Sequence, residues 1–355
     1  MLQRKLPLGG KKLASIILFA VLAVVPLFAS DFQTNLMGKF LCFAMIAVGL
    51  DMIWGYTGIL SLGHGVFFGL GAYSMAMYMT LQSTGGAMPA FMKWSGLTEL
   101  PALWRPFANP AFAIAMAVAV PMLLALAIGF LTFRNRIKGV FFSIISQALA
   151  VIIPLLISSQ QGITGGTNGL TDFRTLFGLD LYSHTGRMVL YYVTFGVLGA
   201  AFLLCMFLMN RRTGRILVAI RDGENRMRFT GYNPTTYKLF VYCLSAGLAG
   251  LAGALYVPQA GMISPTEMGI QPSIEMVIWV AVGGKGTLFG AVLGAVLVSV
   301  FKFAVSSNLP DAWSYIIGAV FILVILFLPK GLTGIPEKIK SHFAHGAAPV
   351  AAAAE

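Results

Sequence analysis

Charged side chains are scarce in this sequence: they make up 10% of its 355 residues, against 58% hydrophobic ones. So little charge cannot coat a water-facing surface, which excludes an ordinary soluble enzyme or binding domain. Cysteine is limited to Cys42, Cys205 and Cys243, all in apolar runs and without paired or metal-ligand spacing. Neither a disulfide framework nor a metal site is therefore expected. The phosphate-loop pattern G-x-x-x-x-G-K-[ST] is missing, because Gly284-Lys285 is followed by Gly286 and no glycine stands five residues before Gly284. No serine–histidine–acid or paired-carboxylate arrangement has workable spacing either. The chain is expected to be no enzyme and to hold no cofactor of its own, and any ATP-driven work falls to a separate chain.

What the sequence has in quantity is long apolar runs. One bilayer crossing needs roughly 20 apolar residues, and runs near that length stand at 13–30, 36–54, 60–81, 110–132, 139–158, 188–209, 238–257, 274–305 and 312–328. Irregular backbone cannot face hydrocarbon, and the runs are far longer than barrel strands. The fold class expected is all-α, a polytopic transmembrane helical bundle spanning 13–328, with the lipid bilayer as its main solvent.

The formal charge of +12 resides in short segments between the runs. Arg4, Lys5, Lys11 and Lys12 precede the first run, Arg134, Arg136 and Lys138 separate two middle ones, and Arg211, Arg212, Arg215, Arg221, Arg226 and Arg228 fill the loop 210–237. This is the positive-inside pattern, not a nucleic-acid footprint, and it marks those segments as cytoplasmic. Nine crossings that start inside would leave the tail 329–355, with Lys330, Lys338 and Lys340, outside. The run 274–305 is too long for one straight helix and contains Gly283-Gly-Lys-Gly-Thr287; broken there, it makes ten crossings and returns the tail to the cytoplasm, where the N-terminal residues 1–12 also lie. The basic start and Phe28-Ala29-Ser30 resemble a cleavable leader, but 13–30 is longer than a usual signal core, so a retained first span is expected. Residues 82–109 and 159–187 are the large external loops, the first with an interfacial helix carrying Trp94 and Trp104, and 347–355 is a low-complexity end.

Small residues recur at Gly65-x-x-x-Gly69, Ala246-x-x-x-Gly250-x-x-x-Ala254 and Gly290-x-x-x-Gly294. Such faces let helix backbones approach closely in lipid, a packing signal before a transport signal. Gly58-Ile-Leu-Ser-Leu-Gly-His-Gly65 and Gly283-Gly-Lys-Gly-Thr287 interrupt two runs with polar, glycine-rich stretches. Broken helices at membrane depth are tolerated only where protein or water covers the freed backbone, and paired breaks often mark a translocation path. His64 is the one histidine in a span and reads first as a hydrogen-bonded packing residue. Asp51 and Glu275 are acids in or beside apolar runs, and Lys302 either snorkels to the surface or pairs with an acid. For Asp51 the plain reading is an interfacial site near a helix end beside Trp54 and Tyr56; for Glu275 it is the first helical turn, where the helix dipole favours a carboxylate. The stretch 214–231 mixes apolar and charged residues at helical spacing before Pro234, as a short amphipathic docking helix does.

Four segments carry a resemblance. Leu50-Asp-Met-Ile-Trp-Gly-Tyr-Thr-Gly-Ile-Leu-Ser-Leu-Gly-His-Gly-Val-Phe-Phe-Gly-Leu-Gly-Ala-Tyr73, Ile163-Thr-Gly-Gly-Thr-Asn-Gly-Leu170, Ala219-Ile-Arg-Asp-Gly-Glu224 through Gly231, and Gly283-Gly-Lys-Gly-Thr-Leu-Phe-Gly-Ala-Val-Leu-Gly-Ala295 stand in this order. Over about residues 35–335 the chain resembles the permease family of branched-chain amino acid and urea ABC importers. Arg226-Met-Arg228, Asp51 and the continuation to Asp172 make it more similar to the urea branch. The resemblance implies a subunit of an ATP-driven importer in the bacterial inner membrane, with urea or short amides as cargo and branched-chain amino acids as the alternative. A secondary transporter working alone and a passive urea channel are the rivals from other classes. The implied partners are a second homologous permease, two ABC ATPase subunits and an external substrate-binding protein. Residues 210–237 then hold the coupling helix, with Arg221, Asp222, Gly223, Glu224, Arg228 and Gly231 as coupling candidates. On polarity, Ser61, His64, Thr164, Thr167, Asn168 and Glu275 are the candidates for the path.

Overall fold

The computed structural model describes residues 8–137, 139–309, 312–327 and 331–334. Arg4, Lys5 and Lys138, and the tail at 328–330 and 335–355 with its three lysines, lie outside the described residues. The helices are α1 (Leu8–Phe28), α2 (Asp31–Thr57), α3 (His64–Ser83), α4 (Ala90–Trp94), α5 (Pro110–Arg134), α6 (Val140–Ser159), α7 (Gln161–Thr164), α8 (His184–Asn210), α9 (Arg212–Phe229), α10 (Pro234–Ala260), α11 (Ile270–Gly283), α12 (Leu288–Ser306) and α13 (Trp313–Phe327). Six of them, α2, α5, α6, α8, α10 and α12, are long and apolar enough to cross a bilayer; α11 and the apolar part of α1 (Leu13–Phe28) are shorter.

Local chemistry sets the helix ends. Ser30 caps α2 through a box in which its hydroxyl accepts from the Gln33 N–H and its own N–H donates to the Gln33 side chain. Asn109 and Asn233 cap α5 and α10, each followed by a proline at the first helical position, where the missing N–H costs nothing. α2 and α10 end on Gly58 and Gly261, both left-handed.

The core forms where α10 packs against α2, α3 and α5. Of the most apolar window of α2, 78% is buried inside the protein, compared with 17% for α6, most of which stays exposed on this chain. The small-residue stripe of α10 meets α3 directly: a Cβ on Gly71 would stand 2.1 Å from the Gly250 carbonyl oxygen. With no hydrophobic gain between helices in lipid, this close approach is what van der Waals packing there requires.

Two breaks interrupt the bundle. The run 60–81 becomes helical only at His64, leaving 58–63 non-helical, and the run 274–305 is split between α11 and α12 by 284–287. The end of the bundle opposite α9 carries the short elements α4, α7 and two two-stranded ribbons that the all-helical expectation does not contain. In one, β1 (Leu170–Thr171) pairs antiparallel with β4 (Met262–Ile263); in the other, β2 (Thr175–Leu176) pairs with β3 (Leu179–Asp180). Trp94 and Trp104 do not share a helix. Trp94 is exposed at the end of α4, whereas Trp104 is buried and its indole N–H donates to the Ile163 carbonyl at 2.9 Å.

Candidate functional site

α9 is amphipathic and lies across the ends of the neighbouring helices. Gly214, Ile216, Leu217 and Ile220 are buried on one face, while Arg215, Asp222, Asn225, Arg226 and Phe229 are exposed on the other. The helix breaks at Gly223, whose backbone leaves helical values at φ −167°, ψ 70°. The longer arm before the break is tied to α2: the Arg221 guanidinium donates to the Gly55 carbonyl at 2.7 Å and to Asp222 at 2.9 Å. The shorter arm is tied to α10. There Glu224 accepts from Arg228 at 3.0 Å and from the buried Lys238 at 2.7 Å. Gly231, left-handed at φ 83°, then closes the helix as its N–H reaches Arg228 and the Tyr232 N–H reaches Met227.

The six coupling candidates thus divide by role. Arg221 and Glu224 hold α9 on the bundle, Arg228 braces Glu224 from within the same helix, Gly223 and Gly231 shape its backbone, and Asp222 stands at its surface. Sequence reasoning passed over Phe229, which is 92% exposed. An aromatic closing an otherwise charged helix was the available signal, since aromatics anchor protein interfaces.

The candidates for the path fall into three places. Ser61 and His64 are fully buried together: His64 Nδ1 pairs with the Ser61 hydroxyl at 3.0 Å and Nε2 with the Ser245 hydroxyl of α10 at 2.8 Å. Both ring nitrogens are engaged in joining the first break to α10. Thr164 donates to the Ile157 and Gln160 carbonyls at the end of α6, and Thr167 and Asn168 are exposed on the turn Gly166–Asn168. Glu275 of α11 is buried against Lys302 of α12, whose ammonium reaches both carboxylate oxygens at 2.7 and 2.6 Å. An apolar groove of ≈ 770 Å³ between α1, α2 and α12, lined by residues such as Val21, Phe28 and Phe303, contains none of these six.

The two breaks are covered differently. At the first, α6 supplies the missing partners: the Ser143 hydroxyl donates to the Leu60 carbonyl at 2.8 Å, and the Ser146 hydroxyl accepts from the Leu62 N–H at 3.0 Å. At the second, Thr287 donates to the Gly284 carbonyl at 2.6 Å, and Asp51 Oδ1 accepts from the Gly286 N–H at 2.6 Å. Asp51 is not the interfacial residue its neighbours Trp54 and Tyr56 suggest in sequence; it is fully buried six residues before the end of α2. It faces the Gly286 N–H of the second break.

The family model of the branched-chain amino acid transport system permease component matches residues 33–326. The chain belongs to that family. Among its relatives, the high-affinity branched-chain amino acid transport system permease protein LivM of Salmonella typhimurium is 26% identical over 95% of this chain and 79% of its own length. LivM of Escherichia coli is 25% identical over the same shares. LivH of Escherichia coli, from the same kind of transport system, is 24% identical over 83% of this chain and 92% of its own. No solved structure matches the chain significantly. This permease is accordingly an ABC importer subunit of the branched-chain amino acid type, a multi-pass transport component and not an enzyme. The leaning toward the urea branch finds no support among these relatives, whose names fit the branched-chain amino acid alternative better; Arg226, Met227 and Arg228 lie in α9 and say nothing of what passes through the bundle.

Proposed function

We propose that this permease forms, with a second homologous permease, the membrane body of an importer that moves branched-chain amino acids across the bacterial inner membrane. Two separate ATPase subunits drive it and an external binding protein delivers the cargo. In this reading α9 and both chain termini are cytoplasmic. The exposed face of α9, with Asp222, Asn225, Arg226 and Phe229, docks on an ATPase, while Arg221 and Glu224, the latter braced by Arg228, pass its movement into the bundle. The transport step is alternating access, in which ATP-driven closure of the ATPases rocks the helices about the docked α9.

The observation that carries this reading is α9 itself: an amphipathic helix bound to two spans by charged hydrogen bonds, with an aromatic and several charged groups left over on its outer face, in a chain of this family. Uptake of labelled leucine and labelled urea, each challenged with an excess of the other, tests the cargo in a deletion strain carrying the full importer. Leucine uptake that excess urea leaves intact supports the assignment. Urea uptake untouched by leucine would return the chain to the urea branch, and rapid flux through the purified chain alone in vesicles would favour a lone transporter or a channel.

A further inference from the structure

Two contacts one helical turn apart on α2 bring α9 and the second break to the same place. Asp51 holds the Gly286 N–H, and Gly55, four residues later, receives the Arg221 guanidinium on its carbonyl oxygen. The fit between them is tight. A Cβ on Gly55 would stand 2.6 Å from the Gly286 backbone nitrogen and 2.6 Å from Asp51 Oδ1, and one on Gly58 would stand 2.9 Å from Arg221 Cγ. Residues 284–287 therefore cannot slide along α2 without disturbing the turn that Arg221 grips.

The holding group is an unusual choice for a purely structural contact. Asp51 is fully buried, its Oδ1 has one backbone donor, and its Oδ2 has no hydrogen-bond partner among the described residues. A buried carboxylate oxygen without a partner is costly, and in a membrane protein such a cost usually goes with function. A cation stands close by on the break itself: Lys285 is exposed, with its ammonium over the Trp54 ring at 5.3 Å. The open Oδ2 is acceptor capacity that the Gly286 contact does not use, and coupling between distant sites needs a contact that can be made and released.

We propose that Asp51 is a positioning residue that latches 284–287 to α2, so that a pull on Arg221 by α9 is passed through the last turns of α2 to the break between α11 and α12. The proposal rests on the docking of α9 proposed above. Its readout is the full importer in proteoliposomes, in a Cys243→Ser background with Lys285→Cys labelled by a maleimide in the absence and presence of ATP. The unmodified latch gives nucleotide-dependent labelling. Asp51→Ala is expected to keep the ATPases co-purifying, to lower leucine uptake about tenfold, within the usual range of a coupling free energy, and to make labelling indifferent to ATP. Asp51→Asn retains an oxygen for the Gly286 N–H, and it is expected to keep uptake within about threefold of the parent.

Asp51→Ala with parental uptake overturns the latch. If Asp51→Ala fails to assemble, Asp51→Asn decides: uptake and ATP-dependent labelling retained together support it, and lost uptake with unchanged labelling overturns it, because the charge and not the loop would then matter. The docking reading fails separately. If Phe229→Ala and Arg226→Glu together leave ATPase binding unaltered, that reading falls and the latch with it, whereas weakened binding in that pair beside a normal Asp51→Ala importer removes the latch alone.

Discussion

The stretches 58–63 and 284–287 are both glycine-rich breaks in apolar runs, yet they are held in opposite ways. The first is sewn into the core: Ser143 and Ser146 of α6 satisfy its backbone, and His64 ties its end to Ser61 and Ser245 with both ring nitrogens. The second lies against the end of α2, where it is held by its own Thr287, which also meets the Thr333 hydroxyl at 3.3 Å, and by one oxygen of Asp51, with the other left open. A break whose Leu60 carbonyl, Leu62 N–H and Ser61 hydroxyl are all taken up by neighbouring side chains acts as a fixed joint. The second break instead faces an acceptor that its one bond leaves unused, carries an exposed lysine, and lies one helical turn along α2 from the Gly55 carbonyl that Arg221 of α9 holds.

Substitutions separate the two most clearly at their glycines. A Cβ on Gly63 would stand 2.5 Å from the Ser146 carbonyl oxygen, a backbone atom that cannot move away. Gly63→Val is expected to abolish the folded permease, seen as loss of the monodisperse peak in detergent chromatography. Ser146→Ala should come next. It leaves the Leu62 N–H without its acceptor, and a stranded buried donor costs about 1–3 kcal/mol, which thermal unfolding in detergent would register with leucine competition unchanged.

Gly286→Ala tests the other break. Its Cβ would meet only ordinary contacts, 3.7 Å from the Gly55 carbonyl oxygen, but its φ of 80° is left-handed. The backbone penalty for an L-residue there is about 1–2 kcal/mol. The variant should fold and bind the ATPases while uptake falls, and uptake equal to the parent would argue that 284–287 is as rigid as 58–63. The smallest change in stability is expected at Phe229→Ala, within about 0.5 kcal/mol because the ring touches little of its own chain. Its effect should appear instead in the affinity for the ATPase, measured by co-purification at graded salt and detergent.

Much of the architecture was legible in residue order. Apolar run length sets the helical membrane class, because each backbone polar group in hydrocarbon must find its partner within the helix. Glycine clusters stand at both breaks, since chain reversal at membrane depth needs residues free of Cβ clashes. The mixed pattern of 214–231 points to an amphipathic helix. Hydropathy averaged along the chain was less useful at the start of α3, where Ile59, Leu60 and Leu62 are as apolar as any helix residue but belong to the non-helical stretch before His64.

The site was legible as a region and not as contacts. Arg221 and Glu224 look like surface charges in the sequence, and only the packed bundle turns them toward Gly55 and Lys238. Long side chains reach in any direction around a helix, so periodicity assigns a face and not a partner. The same limit scattered the polar candidates: Ser61 and His64 close a joint, Glu275 closes an ion pair with Lys302, and Thr164, Thr167 and Asn168 belong to the opposite end.

Composition and the spacing of apolar, glycine and basic residues were enough to decide the solvent, the helical class and the family, because each of these depends on short stretches of chain and on their order. Tertiary structure alone decided that Asp51 meets Gly286 across 235 positions of sequence and that Gly55 meets Arg221 across 166. A hydrogen bond acts over about 3 Å, and no one-dimensional pattern records which distant residues folding brings that close.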